Sequence, residues 1–536
     1  MAKRLLAFLC AFILILSLFA CAKGSNETET EPSQVVEYEN TNEAPVDGGT
    51  LRLCLYGTDS LNPLATQNAE NMRTLKLLYD GLFTINQDLS YTPNLCEVYS
   101  VSEDGCHYTF QIKDNIYFHD GKKLSAYDVE FSLRTLLIAG GFYAKLLCDV
   151  DSVSSGEKLL HISLKRPVAN FPALLDFPVI SSRTEATPQD AVDKMSEYLP
   201  NGTGPYKLQS YQKNKELFFI RNENYHKNQT SHINSILVSM VSDRDTAIHM
   251  LENHNIDALS SKVLSPSEYT PKRVLSSVDF PTNNLVFLGF NHNTPALSGA
   301  DTRRAISMAI DRGKLTQGLN IGSVAPCDIP LHPQSWLFRE GEEAYLFDAE
   351  QAKIILAQDG WSDTDNDGKL DRTRNESYEV LELSILVNQE NSQRIKLAGQ
   401  VKTALEQIGM RIEIIQVPFE SYVSRINQGQ YQLAICEIEM SDNCDMKFLL
   451  ESEYNSFGVG NNLLDDLMHQ ADKIDSVQQI KELYGEMCTL LRHDMPIAAL
   501  YFKDASFIFD EVLRGNIKPT SSNPYNNIHE WFLKYE

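Results

Sequence analysis

Between residues 380 and 439 the apolar positions switch repeatedly between strand-like runs and helical spacing, so the architecture is most legible there. Residues 380–387, 410–417 and 431–438 are rich in Leu, Ile and Val over lengths that suit strands. Residues 391–408 and 419–428 carry apolar groups at helical spacing, and Gly409 closes the first of these helices. Strands alternating with helices imply a parallel sheet with right-handed crossovers. Ligands in such folds sit beyond the carboxyl ends of the strands, which makes residues 437–445 a candidate ligand-facing segment. Residues 125–137 read as another helix, with Ser125 as cap, Asp128 three residues on, and Val129, Leu133, Leu136 and Leu137 on one face. Residues 348–357 repeat this grammar, with Gln351 at the capping-box position and Gly360 just beyond the end.

The amino terminus has a different pattern. Lys3 and Arg4 precede sixteen residues, LLAFLCAFILILSLFA, whose one polar member is Ser17. This is a secretory signal pattern, too short to be a permanent span. It ends in Leu18-Phe19-Ala20-Cys21, which resembles the lipobox of bacterial lipoproteins, although Phe19 is bulkier than the usual residue there. The resemblance implies loss of residues 1–20 and a diacylglyceryl group on Cys21; two acyl chains suffice for stable anchoring. Residues 21–47 then read as the lipidated Cys followed by a disordered tether, with acidic groups at Glu27, Glu29, Glu31, Glu37, Glu39, Glu43 and Asp47 and one basic residue, Lys23.

The 536 residues, 43% hydrophobic, exceed one ordinary core, so two or three domains are expected. No second low-complexity linker occurs after Gly48, so these domains pack together. A net charge of -25 argues against binding nucleic acid or an anionic membrane through bulk electrostatics. No nucleophile elbow, His-Glu-x-x-His, Walker loop or Gly-x-Gly-x-x-Gly is present, so neither an enzyme nor a cofactor is called for. The eight cysteines beyond Cys21 form no zinc-spaced pairs; Cys96 with Cys106 and Cys436 with Cys444 are the close pairs, with unpaired buried thiols the alternative. Asp363, Asp365, Asp367 and Asp371 resemble the start of a calcium loop, but Arg374 stands where an EF-hand has its bidentate Glu, and a solvated acidic turn is the simpler reading.

Several segments resemble the family of extracellular solute-binding proteins that includes oligopeptide-, dipeptide- and nickel-binding receptors of ABC importers. The most specific is IKDNIYFHDGKKLSAYDVEFSL, from Ile112 to Leu133, with a strand, a His-Asp-Gly turn and a Ser-capped helix. Four others follow in the family's order: LNPLATQN with LLYDGLF, NGTGPYKLQSY, LGFNHNTPALSGADTRRAISMAIDRGKL and FDAEQAKIILAQDGW. The resemblance implies an α/β, periplasmic-binding-protein-like fold of class II, with two lobes and an extra subdomain closing by a hinge around a ligand cleft. It places 48–75, 200–284 and 505–536 in a discontinuous lobe I, 76–199 in the extra subdomain and 285–504 in lobe II.

Peptide-binding members of that family hold the ligand's ammonium group with an Asp in a Gly-Trp-x-x-Asp-Tyr run. Here Ile438 takes the Trp position, and the Asp position falls on Ser441 or, with a shift of one, Asp442. Glu437 and Glu439 share a strand face and offer an alternative site for a polyamine, a basic peptide or another cation, or simply face solvent. Asn62 and Asn291, within two of the matching segments, complete the candidate ligand contacts. The implied function is a monomeric, membrane-anchored receptor that delivers peptides to an ABC permease. A receptor for a metal chelate, polyamine or sugar, and an enzyme or signalling lipoprotein on the same scaffold, are the alternatives.

Overall fold

A computed structural model describes residues 35–40, 43–194, 197–227, 231–261, 271–317, 323–339, 341–374 and 377–535. The signal segment, Cys21 and the first part of the tether lie outside the described residues. Among those described, no helix is long and apolar enough to cross a membrane.

Two long antiparallel strands, Leu275–Phe290 and Ile497–Phe509, run through both lobes of an α/β fold. Their pairing slips between Pro281 and Asn284, opposite Lys503 and Asp504. On one side of the slip, Ser276 to Pro281 pair with Asp504 to Phe509, of which Ser506 to Phe509 also pair with Ala258–Ser261. On the other side, Asn284 to Phe290 pair with Leu433–Glu439, which joins Glu382–Asn388 and then Arg411–Val417 in parallel. The expected parallel strands are therefore present, embedded in a mixed eight-stranded sheet.

Period-two alternation divides this second lobe's core. Leu285, Phe287, Ala434 and Cys436 face a cluster completed by the helices Asn462–Ala471 and Val477–Asp494. Val286, Leu288, Phe290, Leu433 and Ile435 face the opposite cluster, covered by Ala300–Met308, Ala349–Gln358 and Ser392–Glu406. The first lobe carries a four-stranded sheet in the order Thr50–Leu55, Ser235–Met240, Glu216–Arg221, Tyr206–Gln212. The subdomain is an antiparallel sheet in the order Cys96–Val101, His107–Ile112, Leu159–Leu164, Val150–Ser155, packed by the helix Ala126–Ala139. Its start follows the expected grammar: Asp128 Oδ2 accepts from Ser125 N at 2.9 Å and Ser125 Oγ at 2.8 Å. Asp348 Oδ1 likewise accepts from Gln351 N at 2.8 Å to cap Ala349–Gln358.

Three of the motif segments meet at one point. Gly202 N donates to His119 Nδ1 at 3.3 Å, and His119 Nε2 lies 3.2 Å from Gly204 O. Gly204 N donates to Leu78 O at 3.0 Å. The His-Asp-Gly turn thus holds the NGTGPY turn against LLYDGLF, and burial pushes the His119 imidazole down to about 4, keeping it neutral.

The tether expectation needs correction at its carboxyl end. Val35–Glu37 forms a strand parallel to Leu275, Ser276 and Ser277. Tyr38 OH donates to Gly515 O at 3.0 Å and accepts from Gly515 N at 3.1 Å, and its ring meets Phe509 edge-on at 5.1 Å. Glu43 pairs with Lys534, and Asp47 with His232. Polar composition suggested a free leash, but the strand pairing of Val35–Glu37 and the packing of Tyr38 dock it. The eight cysteines from Cys54 to Cys488 are free thiols, so neither close pair is bridged.

Candidate functional site

Strand Leu433–Glu439 ends beside the point where the paired long strands slip. Met440 N donates to Asn283 O at 2.8 Å, and Asn283 Nδ2 donates to Asp442 Oδ1 at 2.6 Å, so the slipped segment itself positions Asp442. Ile438, Glu439, Ser441 and Asp442 line a cavity of about 880 Å³. Its opposite wall comes from the helices Ala69–Leu75 and Gly141–Leu146 and from the turn Phe171–Leu175. Asn283 closes the cavity where the strands cross between lobes.

Much of the charge around this cavity is already balanced. Arg73 Nη1 lies 2.8 Å from Glu70 Oε1, Arg166 Nε 3.0 Å from Asp149 Oδ1, and buried Lys76 pairs with Asp176. Burial pushes the neighbouring Tyr143 phenol up to about 12. A groove of about 1480 Å³ also opens between residues 84–121 and 222–227. It lacks Asp442 and every strand end of the larger sheet, so the 880 Å³ cavity between the lobes is the candidate site.

The sequence-derived candidates divide clearly. Asp442, Ser441 and Glu439 come together in the cavity. Glu437 does not line it: its oxygens meet Arg394 Nη2 at 2.8 Å, Lys503 Nζ at 2.6 Å and Asn284 Nδ2 at 3.1 Å. Burial alone would raise the Glu437 carboxyl, yet the Lys503 and Arg394 hydrogen bonds and charges hold it below its ordinary value. Its cation site is thus filled by the protein, which corrects the expectation that it selects a ligand. Asn62 and Asn291 are corrected too. Asn62 is buried, its amide donating to Ala191 O at 2.7 Å and its carbonyl accepting from Leu64 N at 3.0 Å. Asn291 Nδ2 donates to Gly429 O at 2.9 Å and Tyr431 O at 2.8 Å. Both asparagines are spent on backbone turns, a use that asparagine composition cannot distinguish from ligand contact.

Asp363, Asp365 and Asp371 place carboxylate oxygens within 4.8 Å of one another, whereas Asp367 turns to Lys369. Asp363 and Asp365 accept backbone N–H groups of the turn, and buried Asp371 accepts from Thr364 N at 3.1 Å. This cluster stands apart from the cavity.

Comparison with known proteins settles the kind of fold that makes this cleft. Residues 90–456 match the family described as "Bacterial extracellular solute-binding proteins, family 5 Middle". The chain belongs to the family 5 bacterial extracellular solute-binding proteins. It is 22% identical to oligopeptide-binding protein AppA of Bacillus subtilis (strain 168), over 99% of this chain and 98% of that one. It is also 22% identical to the dipeptide-binding protein of Escherichia coli (strain K12), over 91% of this chain and 94% of that one. Among solved structures, the nickel ABC transporter from Bacillus halodurans superposes with a TM-score of 0.77 at 19% identity, covering 90% of this chain and 99% of that one. Family 5 proteins are solute-binding components of transporters rather than enzymes, and they work with ABC permeases.

In this family 5 chain the subdomain also grips the second lobe directly beside the candidate site. Asn170 Nδ2 donates to Asn443 O at 3.0 Å while Asn443 Nδ2 donates to Ala169 O at 2.9 Å. Ala169 N donates to Asp472 Oδ1 at 3.0 Å, and Lys447 Nζ reaches the same oxygen at 2.5 Å. Burial pushes the Asp472 carboxyl up to about 6 despite Lys447. Tyr99 OH donates to Asp475 at 2.8 Å farther along. Asn443 lies in the segment that the strand-end rule singled out, but its partner Asn170 did not stand out in the sequence, because it is 273 positions away and carries no motif.

Proposed function

We propose that the chain is a substrate-binding lipoprotein of an ABC importer that captures peptides in the 880 Å³ cavity and passes them to a membrane permease. The carrying observation is Asp442, held by Asn283 at the lobe crossing and facing a cavity with walls from both lobes. A carboxylate there supplies the charge that a peptide ammonium needs once closure removes its water. The lobe limits are 48–75, 200–284 and 505–536 against 285–504, with 76–199 as the subdomain; the slip at Pro281–Asn284 supports a hinge there. A ligand drives closure through its greater affinity for the closed form, and the Asn170–Asn443 contacts join the ligand loop to that motion. Cys21 carries the lipid, residues 1–20 are removed, and the protein works as a monomer on the outer face of the cell membrane or facing the periplasm.

Thermal unfolding of the purified protein against a library of short peptides, polyamines, sugars and metal complexes tests this reading. A peptide at 100 times its Kd is expected to stabilise the folded form by about 2.7 kcal/mol. Protection by the non-peptide ligands, with none from peptides of any length, would reject it.

A further inference from the structure

We infer that the cavity selects peptides with apolar side chains beyond their charged amino terminus, held between Phe142 and Phe448. This rests on the peptide-receptor reading and deepens it. Phe142 and Phe448 are 47% and 41% exposed, and they stand on the subdomain and on the second lobe around the same space. Leu146, Leu174, Ile438 and Met440 continue the apolar lining between them.

Both aromatic rings are set on braced backbone. Gly140 and Gly141 adopt φ 72° and 83°, a left-handed pair that ends the helix Ala126–Ala139 and starts Gly141–Leu146 at once, turning Phe142 to the cavity. The Phe142 ring meets Tyr143 edge-on at 5.5 Å, and Tyr143 meets buried Phe177 at 6.4 Å. Phe448 follows Lys447, whose ammonium is fixed by Asp472. Of the charged groups beside these walls, Glu70, Asp149 and Asp176 are matched by Arg73, Arg166 and Lys76, while Lys145 and Asp445 also line the cavity. Glu439 and Asp442 line one end of the cavity, and apolar walls line the rest of the space between Phe142 and Phe448. An amphiphilic peptide covers both.

Titration calorimetry with Ala-Phe-Leu and Ala-Ser-Gln separates the side chains from the amino terminus, which the two probes share. The apolar probe is expected to bind about 10- to 100-fold more tightly, the range for fully burying one such side chain. Phe142→Ser and Phe448→Ser, at exposed positions where the melting midpoint of ligand-free protein reports intact folding, are each expected to shrink that ratio several-fold. Equal affinity for the two probes, or a ratio that survives both substitutions, overturns the inference while leaving peptide binding intact. If neither probe nor any other peptide binds, the receptor reading fails and takes this inference with it.

Discussion

Asp442→Asn is expected to weaken binding of a peptide with a free amino terminus by roughly 30-fold or more, since losing one partner of a desolvated, hydrogen-bonded charge pair costs about 2 kcal/mol at the low end. The introduced amide is nearly isosteric and keeps an oxygen for Asn283 Nδ2, so the loop geometry and the melting temperature should hold. Titration calorimetry with a peptide and its N-acetylated counterpart gives the decisive comparison. Acetylation should cost the native protein most of its affinity and cost the variant little, because the same charge pair is then being removed twice. Equal losses in both proteins would remove Asp442 from the ammonium site.

The largest effect on folding is expected at Gly202. A Cβ there would lie 1.9 Å from Leu78 O, 2.7 Å from Tyr79 Cδ1 and 2.9 Å from Leu78 C. Two of these three atoms are backbone, and Leu78 O is fixed by the hydrogen bond from Gly204 N. Gly202→Ala must therefore separate three packed segments at once, with a cost of about 3 kcal/mol or more, the upper end for overpacking. Gly399→Ala is the matched control: it lies inside the helix Ser392–Glu406 with nothing within 4 Å of the added carbon, and it should stabilise by about 0.5–1 kcal/mol. Calorimetric melting should shift in opposite directions for the two. A shift of the same sign would show that the contact of His119, Gly202 and Leu78 yields more easily than its geometry implies.

Local features of the fold were legible because their causes are local. Ser125 with Asp128, Asp348 with Gln351, and the stop at Gly409 announce helix ends within four residues, and the structure uses all of them. The strand-end rule likewise picked out residues 437–445, which contribute Glu439, Ser441 and Asp442 to the cavity. It could not separate Glu437 from Glu439, because the cations that neutralise Glu437 come from Arg394 on a neighbouring helix and Lys503 on another strand. Nor could it find Phe142 or Asn283, which reach the cavity only through the subdomain's placement and the slip at Pro281–Asn284. The docked segment from Val35 was hidden for a similar reason: its partners Leu275, Phe509 and Gly515 are more than two hundred residues away. In each case the missing information is a long-range contact rather than a local preference.

The central claim is that a peptide occupies the cavity between the lobes. Native mass spectrometry of protein purified without added ligand tests it most directly, since a closed cleft retains its cargo through gentle purification. The expected spectrum shows a fraction of the protein carrying an added mass that fragments as a short peptide, lost on mild unfolding and reduced in Asp442→Asn. An added mass that fragments as a sugar, a polyamine or a metal complex would contradict it.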